Sequence, residues 1–79
     1  MLTTLEKKQM AAQRLLNDPY IEEYIKAGFI NELEIRNCMI VKDYMQYRKR
    51  YKHLDALEKT ADKYSLSTNR ILSILYQKN

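Results

Sequence analysis

One glycine and one proline stand among 79 residues, so the chain has little material for tight hairpins, bulges or sheet edges. What remains is rich in strong helix formers, and the class that follows is all-α, a small bundle of about five helices. A single cysteine, Cys38, rules out an internal disulfide and fits a reducing compartment. Cys38 lies in the run Cys38-Met39-Ile40-Val41, where a buried, inert thiol is expected rather than a nucleophile. That run is the longest stretch of strongly apolar side chains, so no membrane span is expected. The opening MLTTLEKKQ lacks the apolar centre of a signal peptide. A cytoplasmic location is therefore expected. His53 is the only histidine, and no second histidine or cysteine stands at ligand spacing. No metal site and no cofactor are implied. A Gly-rich phosphate loop, a nucleophile–base pair and paired carboxylates in apolar surroundings are also missing, which argues against an enzyme.

Seventy-nine residues make one domain, large enough to bury about 60% of its unfolded surface without staples. Charge is unevenly spread along it. Residues 1–41 carry five basic and six acidic side chains, whereas residues 42–79 carry nine and four, so the net charge of +4 arises wholly in the second half. Arg48, Lys49, Arg50 and Lys52 cluster there, and such a cluster attracts phosphate by charge and counterion release without reading sequence.

Caps and periodicity divide the chain. Thr3 and Glu6 have capping-box spacing for a first helix reaching about Leu16, whose narrow apolar stripe (Leu5, Ala12, Leu15, Leu16) suggests an outer arm. Asp18 is placed to cap a short second helix with Pro19 at its first position, and Gly28 to end it in the left-handed conformation. Residues 1–30 thus form N-terminal helices with a possible dimer surface. Asn31 followed by Glu34 opens a central helix expected to reach about Tyr51. Its apolar residues cover nearly all sides, with Leu33, Ile40, Val41, Tyr44, Tyr47 and Tyr51 on one face and Ile35, Cys38 and Met39 on the other. Such a helix needs partners all round. Seven tyrosines raise the idea of base-stacking platforms at Tyr47 and Tyr51, but their spacing back to Tyr44 fits a core stripe better.

Residues 57–76, LEKTADKYSLSTNRILSILY, have the pattern of a helix-turn-helix within 55–77. Asp55 is expected to cap its first helix. Small Ala61 lets the second helix approach, Leu66 sits in the turn, and Ile71 and Ile74 face inward. Ser67 is placed to cap the second helix, running from Thr68 to about Gln77. Ser65 occupies a turn position that favours glycine because φ is often positive there. The outward face then offers Ser67, Thr68, Asn69, Leu72, Ser73 and Tyr76 to DNA, with Arg70 on the flank. Asn69 suits adenine, Arg70 guanine or a phosphate, and Leu72 a thymine methyl.

The segment from Ile35-Arg36 through Tyr44, followed by TADKYSLSTNRILSILY, resembles helix-turn-helix domains of small prokaryotic and phage transcription regulators. The nearest type is the Mor-like activators, in which a Lys-Tyr-x-Leu-Ser turn, here Lys63–Ser67, precedes the recognition helix. The resemblance covers about half the chain and implies a homodimer associating through its N-terminal helices. The expected partner is double-stranded DNA, read in the major groove to regulate transcription. A non-enzymatic helical adaptor or inhibitor, phage-encoded, that binds a protein partner stays open as the alternative. So does an accessory role in DNA packaging or replication.

Overall fold

Thr3 and Glu6 exchange hydrogen bonds, each side chain accepting from the other's backbone N–H at 3.1 Å, and this reciprocal pair opens α1 (Thr4–Leu16). The computed structural model describes residues 2–76. Among them, four further helices follow: α2 (Ile21–Lys26), α3 (Glu32–Arg48), α4 (His53–Tyr64) and α5 (Thr68–Tyr76). No strand occurs among the described residues, and the protein is an all-α bundle.

Several boundaries follow directly from capping chemistry. The Asn31 side chain accepts from Glu34 N–H at 2.8 Å, and α3 begins there. Gly28 adopts φ +82, and the N–H groups of Gly28 and Phe29 donate back to the carbonyls of Ile25 and Tyr24, closing α2 as expected. Two starts differ from expectation. Asp18 caps a turn rather than the helix: its side chain accepts from Tyr20 N–H and its carbonyl from Ile21 N–H, so α2 begins at Ile21, not Pro19. Asp55 does not cap α4, which starts two residues earlier behind Lys52, leaving Asp55 in the first turn, where its charge still favours the helix dipole. The central helix also stops at Arg48, with Tyr51 N–H bonded to the Tyr47 carbonyl in the turn beyond.

The core lies where α3 meets α1, α4 and α5. Ile40, Val41 and Tyr44 of α3 pack with Ala12 of α1, Ala56, Leu57 and Ala61 of α4, and Ile71, Ile74 and Leu75 of α5. The central position expected of α3 is therefore observed, but not over its whole length. Leu33 and Met39 are exposed, so its first half is not covered on every side. In contrast, α1 is no outer arm. Ala12 is buried, Leu5 packs on the core, and the Lys8 ammonium donates to the Ile74 carbonyl at 2.8 Å, tying α1 to α5. Cys38 is half-buried rather than enclosed, and burial, with Glu34 nearby, pushes its thiol pKa up, away from nucleophilic use. Thr60 is fully buried and satisfies its hydroxyl by donating to the Ala56 carbonyl at 2.7 Å.

Candidate nucleic-acid interface

The joint between α4 and α5 is three residues long, and Ser65 makes it possible. Its φ of 55 and ψ of 42 place it in the left-handed region, the one described residue other than glycine with positive φ. Ser65 N–H then reaches the Asp62 carbonyl, and Leu66 N–H the Ala61 carbonyl at 3.0 Å, which satisfies carbonyls left open where α4 stops. Two residues later Ser67 Oγ accepts from Arg70 N–H at 3.1 Å, so the expected cap of α5 is present. Ala61 is buried where a longer side chain would hold α5 off, and Leu66 is half-buried against the core.

This geometry sorts the side chains of α5. Ile71, Ile74 and Leu75 point into the core, while Ser67, Thr68, Asn69, Arg70, Ser73 and Tyr76 are exposed. Leu72 departs from expectation. It is half-buried and packs on the core, so it does not belong to the outward face on which a thymine contact was expected. The reason is that α1 and α3 both cover α5, which widens its buried stripe beyond what α4 alone would make. Gln77 lies outside the described residues.

The basic cluster spans the last residue of α3 and the connection to α4, with Arg48, Lys49, Arg50 and Lys52 all exposed. Arg48 is partly committed: one guanidinium nitrogen donates to the Tyr51 carbonyl at 2.9 Å, holding the turn closed. Lys49 and Arg50 line a surface depression of about 470 Å³ together with Asp43, Gln46, Tyr47, Tyr51 and Lys63. The sequence marks Lys63 only as the start of the Lys63–Ser67 turn and does not mark Gln46, and it ties neither to the basic cluster. Only the pairing of α3 with α4 places Lys63 beside residues more than ten positions away in the chain, and no local pattern encodes that.

Polar links hold this corner together. Asp43 Oδ2 accepts from the Lys63 ammonium at 2.9 Å and from the Tyr64 hydroxyl. The bond to Asp43 raises the pKa of Lys63, and burial, then Asp43, raises that of Tyr64. Lys59 lies over the Tyr51 ring, 4.5 Å from its centroid. Tyr44 is enclosed, with its hydroxyl 2.7 Å from His53 Nδ1, and burial raises its pKa. Tyr44 thus fulfils the core role expected of the tyrosine stripe. Tyr47 packs at the core's edge, and Tyr51 is more open.

The charge around α5 is less one-sided than the sequence halves imply. Residues 53–76 hold Lys59, Lys63 and Arg70 against Asp55, Glu58 and Asp62, a balance of zero. Residues 42–52 hold Lys42, Arg48, Lys49, Arg50 and Lys52 against Asp43, a net of +4. The positive excess therefore flanks the helix pair rather than residing on it, and Asp55, Glu58 and Asp62 form an exposed acidic stretch on α4. Among the described residues no cluster of three His, Cys, Asp or Glu side chains is placed to hold a metal ion, and no helix is long and apolar enough to cross a membrane. Comparison with protein-family models, with characterised proteins and with solved structures finds no match to this chain.

Proposed function

We propose that this protein binds duplex DNA and regulates transcription, setting α5 into the major groove. One observation carries the reading. A three-residue turn closed by left-handed Ser65 buries the Ile71, Ile74 and Leu75 edge of α5 and leaves Thr68, Asn69, Arg70, Ser73 and Tyr76 exposed. Asn69 and Arg70, in the first turn of α5, are the side chains suited to base edges, and Ser67 with the free N–H groups of that turn suits a phosphate. Lys49, Arg50 and Lys52 supply sequence-independent attraction on the flank.

A single unit of this size reads few base pairs, so the reading includes a homodimer spanning half-sites about 34 Å apart. Because α1 is spent on the chain's own core, the association surface narrows to α2 and its flanks. There α2 buries no residue, and Tyr20, Leu33 and Phe29, the last 82% exposed, offer apolar area. The same exposed apolar side chains, with the acidic stretch on α4, favour a second reading, an adaptor that binds a protein partner. Selection from a random duplex library separates the two. Enrichment of one short motif, or of two copies at helical-turn spacing, supports DNA reading; a pool that stays random after repeated rounds contradicts it.

A further inference from the structure

We infer that the depression between the end of α3 and the last turn of α4 is a phosphate-binding site, in which Lys49, Arg50 and Lys63 seat one backbone phosphate group of the strand flanking the groove that α5 reads. The inference rests on the duplex-binding reading and names a contact within it. Lys49, Arg50 and Lys63 converge on one concave surface of about 470 Å³ whose only carboxylate is Asp43. That carboxylate is already committed, since one of its oxygens accepts from both Lys63 and the Tyr64 hydroxyl. The lining thus carries three cations against one anion, a local excess of +2 in a concave setting, which concentrates anions more than the same charges spread on a convex surface. Gln46, Tyr47 and Tyr51 add neutral polar groups to the same wall. Arg50 offers the planar fork that grips a phosphate through two oxygens.

Lys63 links this site to α5. It stands in the last turn of α4, just before the 65–67 turn that launches α5, and Asp43 tethers its ammonium at 2.9 Å. A phosphate seated here is therefore close along the chain to the cap of α5. By the same geometry the other two cations of the basic cluster are not part of the site. Arg48 is turned toward the Tyr51 carbonyl, and Lys52 precedes α4 outside the lining.

The test uses the full chain with two probes. In an NMR titration with inorganic pyrophosphate, the amides of residues 46–51 and 63 should shift, and Arg50→Gln should remove most of that response. With a duplex, Arg50→Gln should flatten the log–log salt slope by up to roughly 0.9, the share of the one phosphate seated, and Lys49→Gln and Lys63→Gln should each flatten it by part of that, whereas Arg48→Gln leaves it near the wild-type value. Duplex binding with a slope unchanged in both Arg50→Gln and Lys63→Gln overturns the site. A protein that takes pyrophosphate at these amides but no duplex keeps the anion site and removes the duplex reading. Response to neither probe overturns both.

Discussion

Asp43 of α3 and Lys63 of α4 meet at 2.9 Å, and the same carboxylate oxygen accepts from Tyr64. The two bonds differ in worth. Lys63 is half-exposed, so its ion pair is screened and contributes under about 1 kcal/mol. The Tyr64 hydroxyl is partly buried and bonds to a charged acceptor, an interaction worth about 1–3 kcal/mol. Tyr64→Phe should therefore destabilise the fold more than Lys63→Gln, as read from urea midpoints at neutral pH. Equal losses would contradict this ordering.

Ser65 and Gly28 solve the same problem with different residues, each ending a helix at positive φ. Ser65 carries a steric cost there of about 1 kcal/mol that glycine avoids, partly offset by glycine's greater freedom when unfolded. Ser65→Gly should raise stability by up to about 1 kcal/mol. Gly28→Ala should lower it by about 1 kcal/mol through backbone strain alone, because nothing lies within 4 Å of the added Cβ. Thermal or urea unfolding of the two variants checks both signs.

Ala61 is 5% exposed at the point where α5 passes α4. Ala61→Leu should cost about 1–3 kcal/mol by overpacking and weaken any activity that depends on the placement of α5. A stable Ala61→Leu protein with unchanged amide shifts across 65–76 would show that this contact does not set the helix.

Alkaline pH should destabilise the protein through one enclosed and one partly buried phenol. Tyr64 and Tyr44 have pKa values raised in the folded state, burial being the largest cause for both. For an acid raised in this way, the contribution is complete below the unfolded value, about 10 for tyrosine, and is lost as pH rises through the folded value. Lys63, raised by Asp43, acts in the same direction, while Lys8, lowered by burial, acts against it. Cys38, also raised by burial, begins to lose its contribution above its ordinary value of about 9, so stability should hold from neutral pH to about 9 and decline above, and Tyr64→Phe should make the part of that decline above about 10 shallower.

Much of the helical skeleton was legible in the sequence because caps are local. Thr3 with Glu6, Asn31 with Glu34, Gly28 and Ser67 each act within a few residues, and each does what its spacing implied. Asp18 and Asp55 show the limit, since an aspartate can serve a turn or a first helical turn as readily as a cap. Burial was harder to read where it depends on distant elements. Thr60 is a polar residue that is nonetheless enclosed, its hydroxyl satisfied by the Ala56 carbonyl of its own helix. Leu72 is half-buried and Leu75 enclosed although both are leucines on the same short helix, a difference set by the packing of neighbouring helices. The candidate site divides likewise: the exposed residues of α5 and the basic cluster were readable, but the joining of Lys49 and Arg50 to Lys63 is a product of helix packing.

The most direct test of duplex reading is fluorescence anisotropy on a selected and a scrambled duplex across a salt series, comparing wild type with Asn69→Ala. Wild type should bind both duplexes, more tightly the selected one, with affinity falling steeply as salt rises. Asn69→Ala should lose roughly 1–3 kcal/mol on the selected duplex and little on the scrambled one, because an exposed amide that reads a base carries specificity rather than bulk affinity. Wild-type binding weaker than about 0.1 mM at physiological salt, poorer than ordinary nonspecific affinity, would contradict the account.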